Sequence, residues 1–413
     1  MNAGEFKAMN IGIRRPSRIL PAIIFTQFAG TSLWFAGNAV LGDLQRQMGL
    51  GSHVLGYMTS AVQLGFIIGT LCFAILAVSD RFSPRIVFFI CSLLGASSNL
   101  LICFVSEGLA SVLLFRFATG FFLAGIYPVG MKIAAGWYQQ GLGKALGFLV
   151  GAVVLGTAFP HMLKGVNHTF QWQSMMVWIS GMAFTGGILM LLLVPDGPFS
   201  IKNTRFQGKA VRTIFQSMDL RSAAFGYFGH MWELYTFWAF IPVILVTYMA
   251  ENPGNEINIS FWAFCVIACG SLGCAAGGMI SKRVGSAQVA FFQLAASGVC
   301  CLFSPVLYEM SKEIFFAVLL FWGVVVVGDS PQFSTLVART APQELVGSAM
   351  TIVNCIGFLI TIFSIQLLNY LFQYFSASYL FLILTVGPVF GLVSLWPLLR
   401  GAGDWGSTDA SCR

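Results

Sequence analysis

Charge is what this sequence lacks most. Of its 413 residues only 9% are Asp, Glu, Lys or Arg, while 57% are hydrophobic; a soluble globular chain carries about 25% charged residues. So little charge excludes a chain built from water-soluble domains. Long polar connections are also scarce, and the short loops between apolar runs leave no room for a soluble catalytic module. Neither a nucleophile–base pair nor a metal-ligand cluster appears in those loops, so no enzyme, no cofactor and no metal site is expected. Cysteine is present, ten in all, yet it lacks the paired spacing of zinc sites and falls mostly inside apolar runs, as at Cys72, Cys91, Cys274 and Cys355. These read as small packing residues.

What the chain has instead is long apolar runs, each roughly 20 to 25 residues and able to cross a bilayer with some tilt. About twelve spans are predicted, near 19–41, 54–77, 86–105, 111–133, 144–165, 173–194, 222–249, 258–280, 287–308, 313–336, 346–370 and 377–399. The first follows Arg14-Arg15-Pro16-Ser17-Arg18, which looks like the basic flank of a signal peptide. It continues to residue 41, past the roughly 7–15 apolar residues of such a signal, so it reads as an uncleaved first helix.

The formal net charge of +7 is unevenly placed. Roughly 18 of the 22 Lys and Arg fall in loops on one side, about three on the other and one inside a span. That is a positive-inside bias and not a nucleic-acid surface. It assigns to the cytoplasm both termini and the longer connection after Pro195, which holds Lys202, Arg205, Lys209 and Arg212. The expected fold class is an all-α membrane protein with a cytoplasmic tail over 1–18, a six-helix bundle over 19–195, a cytoplasmic linker over 196–220, a second six-helix bundle over 221–400 and a tail over 401–413.

The halves repeat weakly. Ser79-Asp80-Arg81-Phe82-Ser83 is echoed by Ser281-Lys282-Arg283-Val284-Gly285, Gly125-Ile126-Tyr127-Pro128 by Gly328-Asp329-Ser330-Pro331, and Gly143-Lys144-Ala145 by Gly347-Ser348-Ala349. Three echoes in order at nearly constant offset point to parallel repeats related by an axis along the membrane normal.

The loop Asp80-Arg81-Phe82-Ser83-Pro84-Arg85 resembles the signature loop of the major facilitator superfamily, although Leu76 and Ser83 stand where that pattern has glycine. The resemblance covers essentially the whole chain. It implies a secondary transporter working by alternating access, with Asp80, Arg81 and Arg85 as a gating loop in which Asp80 caps the start of the eleventh span near Val346 and Gly347. In the alternative the two arginines merely fix topology. Arg116-Phe117-Ala118-Thr119-Gly120 resembles the family's arginine-containing motif. An arginine in hydrocarbon needs a polar cavity or an acid, as substrate counter-ion or tuner of a proton site; otherwise Arg116 snorkels to the outer end. Gly147, Gly151 and Gly156 partly resemble a drug-antiporter motif, but Ala152 replaces its proline, and the glycines read as a close-packing face.

The richest polar stretch runs from Tyr227 to Trp238 in the seventh span. Glu233 lies about eleven residues into it, near the membrane middle at about 1.5 Å per residue. A low-dielectric cavity disfavours the charged carboxylate, so an acid there can take up and release a proton. His230 and Glu233 share one face at i and i+3 and are the predicted proton-coupling pair, with Tyr227 on the same stripe. Trp232, Tyr235 and Trp238 are expected to line a solute cavity or, alternatively, to form an interfacial belt. Asp329, beside a helix-breaking proline, belongs either to a binding site or gate or to a structural pair with Lys132. Asn38 and Gln27 are further cavity candidates, and Asp43 an interfacial or gating residue.

The expected function is transport of a small polar organic solute, proton-coupled, in either direction. Its expected partners are that solute, protons and the lipid bilayer, with no nucleic acid, and the chain is expected to act as a monomer in the cell membrane, the inner one in a bacterium. Two alternatives are a small-anion permease with Arg116 binding substrate and a transport-inactive membrane receptor.

Overall fold

A bilayer offers the backbone no hydrogen-bond partner, so runs this long and apolar close their own bonds as helices. The computed structural model describes residues 16–51, 53–105, 108–138, 142–166, 171–199, 206–254 and 256–405, and no strand occurs among them. In the first half the spans are α1 (Ile19–Thr31), α2 (Val54–Ile75), α3 (Pro84–Val105), α4 (Leu109–Leu123, continued by Tyr127–Trp137), α5 (Leu142–Val166) and α6 (Trp172–Leu193). In the second they are α7 (Met218–Glu251), α8 (Ile259–Val284), α9 (Ser286–Leu307), α10 (Lys312–Gly328, continued by Ser330–Thr340), α11 (Val346–Leu371) and α12 (Val386–Trp405). Eleven spans, each broken one counted once, are long and apolar enough to cross a membrane. The basic residues Arg14, Arg15, Lys202 and Arg205 and the tail beyond 405 lie outside the described residues.

Three spans are interrupted, one of them at the proline beside Asp329 expected to break its helix. α4 and α10 are each interrupted just before a proline, Pro128 and Pro331, at the second position of the following piece. A proline there has no N–H to give the preceding turn, so the ladder stops. The first span is interrupted without a proline: α1 has 13 residues, about 20 Å, and the chain resumes as short helices over Ala36–Ala39 and Leu41–Met48.

Packing makes the weak sequence repeat explicit. α2 packs on α4, α3 on α4 and α6, and α1 on α5 and α6. Adding six to each label gives the pairings of the second half: α8 on α10, α9 on α10 and α12, and α7 on α11 and α12. The contacts between halves, α5 with α8 and α2 with α11, exchange under the same operation. The architecture is therefore two pseudo-symmetric six-helix bundles.

Equivalent glycines set the closest crossings. A Cβ on Gly120 of α4 would strike the Val62 carbonyl of α2, and one on Gly323 of α10 the Val266 carbonyl of α8. Gly120→Ala and Gly323→Ala are each expected to destabilise by about 1–3 kcal/mol through overpacking. Gly181→Ala on α6, where the added Cβ meets open space, should leave the melting temperature of the purified protein unchanged. Gly147 and Gly151 face Cys274 and Ser271 of α8, which gives α5 the close-packing face expected from its glycines.

Candidate functional site

At the centre the halves meet ring to ring. Trp34, from the interruption of the first span, stacks on Tyr235 of α7 at 5.7 Å between centroids and on Phe358 of α11 at 5.6 Å. Phe66 of α2 lies 4.6 Å from Phe358, and Trp238 lies 5.3 Å from Tyr235. Tyr235 and Trp238 thus belong to the core of the molecule. Trp232 does not: its indole N–H donates to the Ile383 carbonyl at 3.1 Å, and its ring lies beside Phe363 on the outer side of α7. Depth alone misplaces it, because α7 has neighbours on several sides. The Tyr227 hydroxyl donates to Asn354 Oδ1 at 2.7 Å, in a small recess with Ser334 and Met350.

Arg116 explains the interruption in the first span. It is fully buried, Nη1 donating to the Leu33 carbonyl at 3.0 Å and Nη2 to the Trp34 carbonyl. The guanidinium thus satisfies backbone acceptors that a straight helix would have bonded internally. Arg116 therefore does not snorkel to the surface, and no acid pairs with it among the described residues. Gly37 leaves the room it needs, for a Cβ there would sit 3.0 Å from Arg116 Nε.

The predicted His230–Glu233 pair is divided. Glu233, 1% exposed, accepts at Oε1 from Ser297 and Cys301 of α9 and from Trp322 of α10, the last at 2.8 Å. His230 turns instead to Asp329, whose Oδ1 stands 2.9 Å from Nδ1. Sharing a helix face brings the two residues to one depth, but the side chains of α9 and α10 decide their partners. Asp329 therefore does not pair with Lys132, which binds Asp80 at 2.6 Å and the Ser79 carbonyl at 2.7 Å. Asp80 thus takes part in an ion pair inside its own half. Arg85 reaches the Leu191 carbonyl at 3.5 Å, and Arg81 is exposed.

Several buried polar atoms have no partner among the described residues: both side-chain heteroatoms of Gln27, Asn38 Oδ1, His230 Nε2 and Asp329 Oδ2. Asn38 donates its amide to Thr59 at 2.8 Å. The offset that carries Gly125 to Gly328 also carries Gln27 to His230, so orphaned polar groups occupy equivalent places in the two halves. Buried groups of this kind call for a solute or water to complete their bonds.

Toward the ends where α2 begins and α11 finishes, the halves are tied by side chains. Gln63 meets Thr361, Gln366 donates to Ser60 at 2.8 Å, and Asn369 donates to the His53 carbonyl at 3.2 Å. Near the same end Asp43 pairs with Arg46 and Lys164, and Asn258 donates to the Gly165 carbonyl at 2.7 Å. Sequence reasoning missed Trp34, Trp322, Ser297 and Cys301. A tryptophan midway along a span, away from either interface, was the available signal for Trp322.

Residues 22–365 match the family described as Major Facilitator Superfamily. A curated relative, the probable galactarate/D-glucarate transporter GudP of Bacillus subtilis (strain 168), is 31% identical over 182 residues, which are 41% of this chain and 39% of that protein. The matched region thus spans well under half of the relative's length. Two crystal structures of a bacterial homolog to the human lysosomal transporter Spinster, both inward-facing, one occupied and one unoccupied, superpose with TM-scores of 0.69 and 0.70 at 12% identity. They cover 93% of this chain and 97% and 98% of those chains, a likeness of fold.

Proposed function

We propose that this chain, which belongs to the Major Facilitator Superfamily and is one of its transporters, moves a small polar organic solute coupled to protons, with Glu233 as the coupling group. The observation that carries the reading is the surroundings of Glu233. It is buried at the middle of α7, its donors are neutral, and the cation-capable neighbour on its own helix face is turned to Asp329. An acid held among neutral donors exchanges a proton more readily than one locked by a fixed cation. His230 and Asp329 form a second protonatable pair one turn away. Gln27, Asn38 and the pair's unpartnered atoms contact the solute when Trp34 and Tyr235 part. Both termini and the linker lie in the cytoplasm, as the bias of basic residues supports.

The relative's name favours one refinement of the substrate, a hydroxylated carboxylate such as galactarate or D-glucarate. The alternative in which Arg116 itself binds such an anion is disfavoured, because that side chain is sealed and bonded to backbone carbonyls.

Proteoliposomes test the coupling. A gradient of one pH unit can sustain up to about tenfold accumulation by a one-proton symporter. Labelled galactarate, D-glucarate and a neutral sugar are offered in turn with the gradient imposed and collapsed. Gradient-dependent accumulation or extrusion of one of them is expected. Flux that ignores the gradient for a solute that is demonstrably carried would overturn proton coupling.

A further inference from the structure

We infer that the start of the second half holds an anionic phospholipid, its phosphate on the linker helix and one acyl chain in a groove between α7, α11 and α12. The linker helix Lys209–Gln216 has three faces. Ala210 and Ile214 are buried against the protein, Lys209 and Arg212 are exposed, and Val211 and Phe215 are 43% and 46% exposed, a stripe continued by Met218 at 57%. An apolar stripe beside a basic one, on a helix at the mouth of a span, suits the boundary between acyl chains and headgroups. Arg221 is exposed on the same side and holds the Phe215 carbonyl through Nη1 at 3.1 Å. Asp219 is the one acid between Gly208 and Arg221, against three bases.

The second observation is independent of charge. A groove of 440 Å³ opens on the outer surface with a wholly apolar lining that includes Phe228, Trp232, Leu359, Phe363 and Phe390. Its floor is backbone: a Cβ on Gly229 of α7 would strike the Gly387 carbonyl at the start of α12. A run of rings joins groove to linker helix, Phe215 to Phe225 at 6.1 Å and Phe225 to Phe390 at 5.6 Å. Phe228 and Trp232 stand about 15–21 Å along α7 from Met218, within the roughly 20–22 Å from headgroup to bilayer middle that one lipid spans in a bilayer about 40–45 Å thick. Phosphate chemistry at one end and an apolar trough of acyl depth at the other fit one amphiphile.

The test titrates delipidated full-length protein with phosphatidylglycerol and with phosphatidylcholine of the same chains, reading bound lipid by native mass spectrometry. Tighter binding of phosphatidylglycerol is expected. The double variant K209Q/R212Q should weaken phosphatidylglycerol about thirty-fold and leave phosphatidylcholine unchanged. Leu359→Trp, which fills the groove from an exposed position that folding tolerates, should weaken both lipids. Equal affinity of the wild type for the two lipids, or unchanged phosphatidylglycerol binding in Leu359→Trp, would overturn the proposal. So would full displacement of the lipid by inorganic phosphate at equal concentration, which would leave the acyl chain no part in the site.

Discussion

Replacing Glu233 by glutamine should abolish solute accumulation driven by a pH gradient while exchange of labelled for unlabelled solute across the same membranes continues. Glutamine keeps the volume of glutamate and a carbonyl oxygen that can still accept from Ser297 and Trp322. It cannot bind and release a proton. Gradient-driven accumulation of up to about tenfold per pH unit should therefore fall to the equilibrium distribution. If Glu233 were instead a structural member of its hydrogen-bond cluster, the variant would lose thermal stability and exchange together and keep its response to pH. Glu233→Asp, which retains the proton but shortens the reach to α9 and α10, should recover part of the accumulation. Persistence of full gradient dependence in Glu233→Gln would remove this residue from the coupling step.

Arg116→Met should lower both stability and transport. It strips donors from two buried carbonyls, those of Leu33 and Trp34, and an orphaned buried acceptor costs about 1–3 kcal/mol. A drop of several degrees in melting temperature follows, and Trp34 loses the backbone support that holds it against Tyr235 and Phe358. Arg116→Lys separates geometry from charge. An ammonium keeps the charge but lacks the planar fork that reaches two carbonyls at once, so it should recover less than half of the lost stability. Were the guanidinium a ligand for substrate charge, lysine would restore transport, and methionine would raise KM with little effect on melting.

The spans and their division into two repeated halves could be read from apolar run length and a weak repeat, because the bilayer forces polar backbone into helices. The positions of Glu233 and Asp329 inside spans were legible for the same reason. Their partners were not. The i, i+3 spacing puts His230 and Glu233 on one face of α7, and nothing in that spacing announces that Asp329, set at the interruption of α10, takes the imidazole while Ser297 and Trp322 take the carboxyl. The proline beside Asp329 flagged the break in α10, and Pro128 stands at the equivalent break in α4. The break after α1 carried no such mark, because its cause is an arginine 82 residues away in sequence from Trp34. Trp232 illustrates the reverse error: depth along α7 was legible, but direction around it depends on where α12 runs.

The exchange of the α5–α8 and α2–α11 contacts under the pseudo-two-fold has an energetic meaning. In the proposed alternating-access cycle, the states open to either side can be built from the same helix pairings by letting opposite ends meet, so the scaffold itself is close to degenerate between them. What lifts the degeneracy is chemistry that the repeat does not share: amides and hydroxyls along α2 and α11, glycines along α5 and α8. In the proposed transport cycle this handful of side chains at two seams sets the balance between the states, and substitutions there are expected to shift it without touching the bundles.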